Sequence, residues 1–314
     1  MVKARFTLTM QSEQAIQDTT LATPRAQTER NSEGFSLSVL RPASSPDWQH
    51  SQGYGQAANQ HRTSRRPESR YLPDTLWRDH SDAVNLALCE RWLPGAPILR
   101  LLKTDLFDEA VGHGLYYQLA ARSPTVIGMD VATTTLDVAH TKYPGLLVTG
   151  ADVRHLPFAE GAFNVVVSNS TLDHLESPDE IKDSLQELNR VLCSGGHLLL
   201  TLDNPANPVV ALRNVLPFWL LHWLRLVPYQ IGVTVDRHRL VSILQQAGFE
   251  VHQTTAVMHC PRVIAVATAR MVQRHSTTKS HRRFLRALMR FERLEKWPMR
   301  FLTGHFVAVN AIKR

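Results

Sequence analysis

The sequence predicts an α/β fold: a doubly wound, mostly parallel seven-stranded sheet covered by helices on both faces. Three observations predict it. From about residue 97 onward, apolar runs of strand length alternate with helical patterns. The runs are continuous rather than alternating, which suits strands buried on both faces. A glycine turn and several acids follow the runs, where open parallel sheets bind their ligands.

The elements follow in order. Residues 1–70 are rich in Gln, Ser, Thr, Asn and Arg without apolar periodicity, which predicts a disordered tail. In "LPDTLWRDHSDAVNLALCERWLPG", Leu76, Trp77, Val84, Leu86, Leu88 and Trp92 form a helical stripe stopped by Pro94-Gly95. "ILRLLKTDLFDEA" reads as one first strand, leading into the turn "GHG" and a helix "LYYQLAARS". "TVIGMDVA" is the second strand, followed by "TTTLDVAHTKYP", a helix with a Thr cap. "LLVTGAD" and "FNVVVSNST" are strands three and four, and "SPDEIKDSLQELNRVLCSGG" is a capped helix ended by its glycines. "HLLLTLDN" is the fifth strand, "GFEVHQTTAV" the sixth and "GHFVAVNAIKR" the seventh. Helical insertions are expected at about 208–232 and 270–300, within a domain spanning 71–314.

Composition narrows the classes. The three cysteines (Cys89, Cys193, Cys260) are far apart, which argues against a disulfide framework or thiolate metal site and fits a reducing cytoplasm. The start "MVKARFTLTMQSEQ" lacks the apolar core of a secretory signal, and no stretch reaches the roughly 18 apolar residues of a membrane span. The other histidines (His222, His238, His259, His305) show no ligand spacing, so no metal is expected. The net charge of +7 is local: residues 270–300 carry ten Lys or Arg against two acids, while the middle of the chain is acidic. In that segment Phe284, Leu285, Leu288, Met289 and Leu294 alternate with arginines as an amphipathic helix. Packing with Arg outward is its commonest meaning. Contact with an anionic membrane comes second, and nucleic acid third, for want of a recognised module.

The chemistry gathers at the strand ends. Asp108, Asp130 and Asp152 end three neighbouring runs, and Gly112 and Gly114 let a backbone approach a ligand closely. "GHGLYYQ" lacks the third glycine of a dinucleotide fingerprint, and an acid at Asp108 repels a diphosphate. The pattern suits a nucleoside bearing ammonium and sulfonium charges.

At these residues the sequence resembles the class I S-adenosylmethionine-dependent methyltransferases, most of all the branch of the ubiquinone and menaquinone C-methyltransferases. The resemblance covers roughly 97–204 and extends to 234–257. Asp108-x-Ala110-x-Gly112-x-Gly114 is similar to the family's acid-x-Gly-x-Gly-x-Gly loop around the methionine part, with Ala110 replacing its first glycine. Asp130 matches the ribose-binding acid, and Asp152 and Val153, with the Leu-Pro-Phe that follows, match the adenine segment. "FNVVVSNSTLDHL", which contains Asn169, matches the fourth strand and its cofactor-lining exit. The resemblance implies a Rossmann-like methyltransferase fold, S-adenosyl-L-methionine as cofactor and a small-molecule or lipid-like acceptor.

Methyl transfer needs positioning and, for some acceptors, a base. His174 is the first candidate for a base or substrate contact and Asp173 the second; alternatively His174 packs under the next helix and Asp173 caps it. His113 faces either solvent or cofactor. "DNPANP" either lines the acceptor pocket through Asp203 and Asn204 or is simply a turn. Trp219 and Trp223 are expected to turn inward with Phe284 and Leu288, closing the two insertions into one apolar cover. An inactive cofactor-binding scaffold and an RNA methyltransferase are the other readings.

Overall fold

The computed structural model describes residues 75–217, 219, 232–275 and 277–314. The expected tail, Trp223, His222 and most of the first insertion lie outside them. In chain order the helices are α1 (Thr75–Trp92), α2 (Phe107–Val111), α3 (Tyr116–Ala120), α4 (Thr133–Lys142), α5 (Pro178–Val191), α6 (Pro208–Val215), α7 (Arg237–Gln246), α8 (Arg262–His275), α9 (Thr278–Phe291) and α10 (Arg300–Thr303). The strands are β1 (Arg100–Lys103), β2 (Thr125–Asp130), β3 (Leu147–Gly150), β4 (Phe163–Asn169), β5 (Leu192–Asp203), β6 (Phe249–Val257) and β7 (Phe306–Lys313).

They form one seven-stranded sheet in the order β3-β2-β1-β4-β5-β7-β6. β1 to β5 pair in parallel, and β7 runs antiparallel between β5 and β6. Burial on both faces explains the uninterrupted apolar runs: Leu102, Val166 and Leu200 pack in one layer, and Leu101, Val165 and Leu199 in the other. The last helix before β5 is held by a capping box, in which the Ser177 hydroxyl accepts the Glu180 N–H and the Glu180 carboxylate accepts the Ser177 N–H.

Three local expectations are corrected. β1 ends at Lys103, and residues 107–111 turn into α2, so Asp108 lies on a helix rather than at a strand end. β1 is an interior strand between β2 and β4, and the polar Lys103, Thr104 and Asp105 break its apolar run. Helix α4 has Ala132 at its N-cap without a side-chain cap; the Asp130 carboxylate instead accepts the Ala132 N–H at 2.8 Å. Gly195 and Gly196 belong to the start of β5, where pairing with β4 shifts register, instead of closing α5.

The expected cover of the two insertions falls largely on residues outside those described, and its second half is placed on the domain. Leu288 is buried and Phe284 half-buried against Trp77, Cys260 and Ala265, so α9 packs on α1 and α8. Trp219 is 69% exposed.

Candidate functional site

In this strand order the chain leaves β1 for β2 on one side, while β4 lies on the other. Connections therefore diverge between β1 and β4 and open a crevice at the carboxyl ends of the strands. A cleft is found there, lined by Thr104 and Asp105 after β1, Met129, Asp130 and Val131 around the end of β2, Ala151 and Val153 after β3, and Thr171 and His174 after β4.

Its floor is hydroxylic. Thr104 Oγ1 donates to Ser168 Oγ at 2.9 Å and lies 2.6 Å from Thr171 Oγ1, tying β1 to β4. One wall is acidic. The Asp130 carboxylate accepts the Leu106 N–H at 3.3 Å as well as that of Ala132, so it fixes the loop after β1. Asp105 accepts the Phe107 N–H at 2.9 Å. Burial raises both carboxyls above their usual range, with Asp105 pushed up to about 7 and the neighbouring Asp130 charge adding to the effect. Met129, Val131, Ala151 and Val153 give the lining an apolar part. Such a site favours a ligand with a flat ring, hydroxyl donors and positive charge.

Among the residues singled out from the sequence, Asp130, Val153 and His174 meet at this cleft. Burial lowers the His174 pKa, against the pull of Asp203, so its imidazole is neutral at neutral pH and able to accept a proton. Asp173 lies beside it but does not line the cleft. Its Oδ1 accepts the Asp203 N–H at 2.7 Å, and burial together with the Asp203 charge holds its carboxyl well above the ordinary range. A carboxyl raised in this way is less ready to ionise, and its contacts are with Asp203 rather than with the cleft.

The glycine turn is placed elsewhere. Asp108 is paired with Arg78 of α1 at 2.9 Å, Ala110 packs into the core on α2, Gly112 lies against Arg78 and Gly114 against Glu109. The Gly114 N–H donates to Asp82 Oδ2 at 2.9 Å. None of these four lines the cleft, because β1 ends one short helix earlier than its apolar pattern suggests. His113 is in solvent, with its side chain 85% exposed. Asp152 is buried, its carboxylate held by the Arg154 guanidinium at 2.6 Å, while the adjacent Ala151 and Val153 line the cleft. Asn169 bonds Asn85 of α1 at 3.3 Å and leaves its Oδ1 buried without a partner. Asn204 is a turn residue whose amide donates to Phe301 O and Gly304 O. Asp203 is neutralised by Arg213 at 2.7 Å.

Sequence reasoning missed Asp105, Thr104 and Thr171. The signal was present in the polar triplet Lys103-Thr104-Asp105, which interrupts an apolar run after strand length. Among the described residues no group of His, Cys, Asp and Glu is arranged to hold a metal ion.

Residues 107–200 match the family model described as a methyltransferase domain. The chain carries a methyltransferase domain. Its fold is that of the class I S-adenosylmethionine-dependent methyltransferases. The biotin biosynthesis bifunctional protein BioHC of Cellvibrio japonicus is 30% identical over 48% of this chain and 28% of its own. A demethylmenaquinone methyltransferase of Chlorobaculum parvum is 25% identical over 52% of this chain and 73% of its own. The chain thus spans less than a third of the first of these relatives. Phosphoethanolamine N-methyltransferase 2 of Haemonchus contortus, solved with S-adenosyl-L-methionine, superposes at a TM-score of 0.50 with 16% identity, over 73% of this chain and 52% of that one. That likeness is one of fold. The match to the methyltransferase domain begins at Phe107, after β1, so the β1 side of the cleft rests on the geometry alone.

Proposed function

We propose that this protein transfers a methyl group from S-adenosyl-L-methionine to a small, apolar or lipid-like acceptor, with residues 71–314 as the working domain. The observation that carries this reading is the cleft at the ends of β1 to β4, whose lining combines the acids Asp105 and Asp130 with the apolar Met129, Val131, Ala151 and Val153.

The cofactor fits that donor set. Asp130 carries one backbone N–H on each oxygen and retains lone pairs for the hydroxyls of a ribose. Met129, Val131 and Val153 offer apolar contact for a purine ring. The acids of the cleft suit a cation and disfavour a diphosphate. Asp108, Ala110, Gly112 and Gly114 follow the lining residue Asp105 in sequence, Asp152 sits between the lining residues Ala151 and Val153, and Asn169 ends β4.

Bound there, the cofactor supplies an electrophilic methyl on a sulfonium, a good leaving group. The protein's own work is to orient the acceptor and exclude water. His174, neutral and on the cleft, takes the proton of an acceptor that must lose one. The demethylmenaquinone relative and a ubiquinone/menaquinone biosynthesis C-methyltransferase of Haemophilus ducreyi (27% identical over 43% of this chain) support an apolar small acceptor.

Calorimetric titration with S-adenosylhomocysteine tests the reading. Micromolar binding is expected, and Asp130→Ala should lose about 1.5–3 kcal/mol, a ten- to hundredfold weakening. Cell extract incubated with protein and cofactor should yield a metabolite heavier by one methyl group. No binding, or unchanged affinity in the variant, would overturn the assignment.

A further inference from the structure

The segment after β6 has a composition found nowhere else in the chain. From residue 251 to 291 there are eight Lys or Arg and no Asp or Glu. Residues 262–275 and 278–291 fold into α8 and α9, which pack on each other and on α1. The inner sides are accounted for: Ala265, Ala269 and Leu288 are buried, and Phe284 leans on the same cluster.

The outer sides are not. On α9, Lys279, Arg282, Arg283, Arg286 and Arg290 recur every three or four residues and are all exposed, so they form one stripe along the helix. Lys279, Arg282, Arg283 and Arg290 make no ion pair with any described residue, and Arg286 only bonds the Arg282 carbonyl. Like charges at this spacing repel each other, and among the described residues no acid forms an ion pair with any of the five. On α8 the outward stripe is apolar. Val263, Ile264 and Met271 are 53%, 67% and 66% exposed, with Ala267 between them. Phe291 adds a partly exposed ring at the end of the basic stripe.

We propose that the outer surface of α8 and α9 is a docking surface for an anionic lipid bilayer. Charge complementarity argues for the occupant. A row of guanidinium groups with no ion-pair partner among the described residues attracts phosphate headgroups, while adjacent exposed aliphatic side chains gain by entering the acyl boundary. Nucleic acid accounts for the arginines but leaves the apolar stripe of α8 unexplained, since aliphatic side chains gain little from a solvated phosphate backbone. The helices lie on the surface: no described helix is long and apolar enough to span a membrane. The proposal stands independently of the methyl-transfer reading.

The test is flotation of the full chain with vesicles, either pure phosphatidylcholine or containing about one third phosphatidylglycerol. Binding is expected to the anionic vesicles alone and should fall several-fold when salt rises from about 0.1 to 0.5 M, as exposed charges are screened. The triple variant Arg282→Glu, Arg283→Glu and Arg286→Glu should lose at least tenfold. Ile264→Ser with Met271→Ser should lose several-fold on the same vesicles, at unchanged charge. Both variants change exposed positions, and an unaltered thermal transition shows that they are folded. Equal binding to neutral vesicles, no binding, or binding of duplex or single-stranded RNA that exceeds vesicle binding and ignores the Ile264 and Met271 changes would each overturn the proposal.

Discussion

The Lys103 ammonium lies 2.8 Å from the Glu109 carboxylate, with both side chains withdrawn from solvent. This pair stands directly behind the cleft, because Lys103 Nζ also donates to the carbonyl of Asp105. Burial alone would lower the lysine's pKa, but the Glu109 and Asp105 charges outweigh it and raise it above its usual range. Glu109 also accepts the Leu115 N–H at 2.9 Å and so joins β1, α2 and α3 around one charge. The loop that presents Asp105 is thus held by an ion pair where a glycine-rich turn was expected.

Removing one member of such a pair strands the other charge. Glu109→Gln should therefore lower the unfolding free energy by about 3–5 kcal/mol, whereas Lys103→Met with Glu109→Leu should recover most of that loss. Urea denaturation of the three proteins decides it. A Glu109→Gln cost below about 1 kcal/mol, the size of a surface pair, would show that water reaches the site.

Gly114 depends on the same carboxylate. Its φ is +61°, and an added Cβ would lie 2.7 Å from Glu109 Cδ. Gly195 has a similar φ of +72° but open space around it. Gly195→Ala should cost about 1–2 kcal/mol for the left-handed backbone alone. Gly114→Ala should cost clearly more, because Glu109 must also move off Lys103. Equal melting shifts for the two variants would argue against the contact.

Much of the fold was legible in the sequence for a simple reason. Strands buried on both faces, such as Val165–Val167 and Leu198–Leu200, must be apolar throughout, and the Ser177–Glu180 capping box is a local signal. Misreadings came where local pattern and long-range contact disagree. Leu106 and Phe107 prolong the apolar run of β1, yet only the return of Glu109 beneath Lys103 explains why the chain turns helical there. The same shift moved the strand-end acid from Asp108 to Asp105. Asp130, Val153 and His174 reach the cleft because each lies at or shortly after the end of a strand whose expected end was within two residues of the observed one. Nothing periodic in α9 says which partner its apolar side meets, so its contact with Trp77 had to come from the structure.

Asp82 gives a stability prediction with a definite sign. Burial, and then the Asp108 charge, raises its pKa from 3.8 to about 7 despite the Gly114 N–H. The folded state therefore holds this proton more tightly than the unfolded chain. Below about pH 4 both states are protonated and its contribution is fully present; it is lost as pH rises to about 7. Asp82→Asn keeps an acceptor for Gly114 and has no such slope. Relative to the variant, the wild type should lose on the order of 2–4 kcal/mol between pH 4 and 8. Parallel pH profiles for the two proteins would mean that Asp82 is ionised in the fold throughout.

Asp105 links proton and ligand at the cleft itself. With its carboxyl raised to about 7, it is partly protonated at neutral pH when the cleft is free. A cation placed beside it favours the carboxylate, so the bound state has the lower pKa and binding must expel a proton. Affinity for a sulfonium ligand should accordingly rise from pH 6.5 to 8 and then level off. His174 cannot produce this slope, because burial puts its titration below 6.5. Asp130 is also raised, so the assignment needs a variant rather than a pH profile alone. Calorimetry of S-adenosylmethionine binding at pH 7, in buffers of high and low ionisation enthalpy, should report a fraction of one proton released by the wild type. Asp105→Asn should release none and bind with a nearly flat pH dependence, while Asp130→Ala should bind more weakly and still release a smaller fraction, since the Asp130 charge helps to raise Asp105. Proton release that survives in Asp105→Asn would transfer the role to Asp130 and place the ligand's positive charge at the β2 end of the cleft.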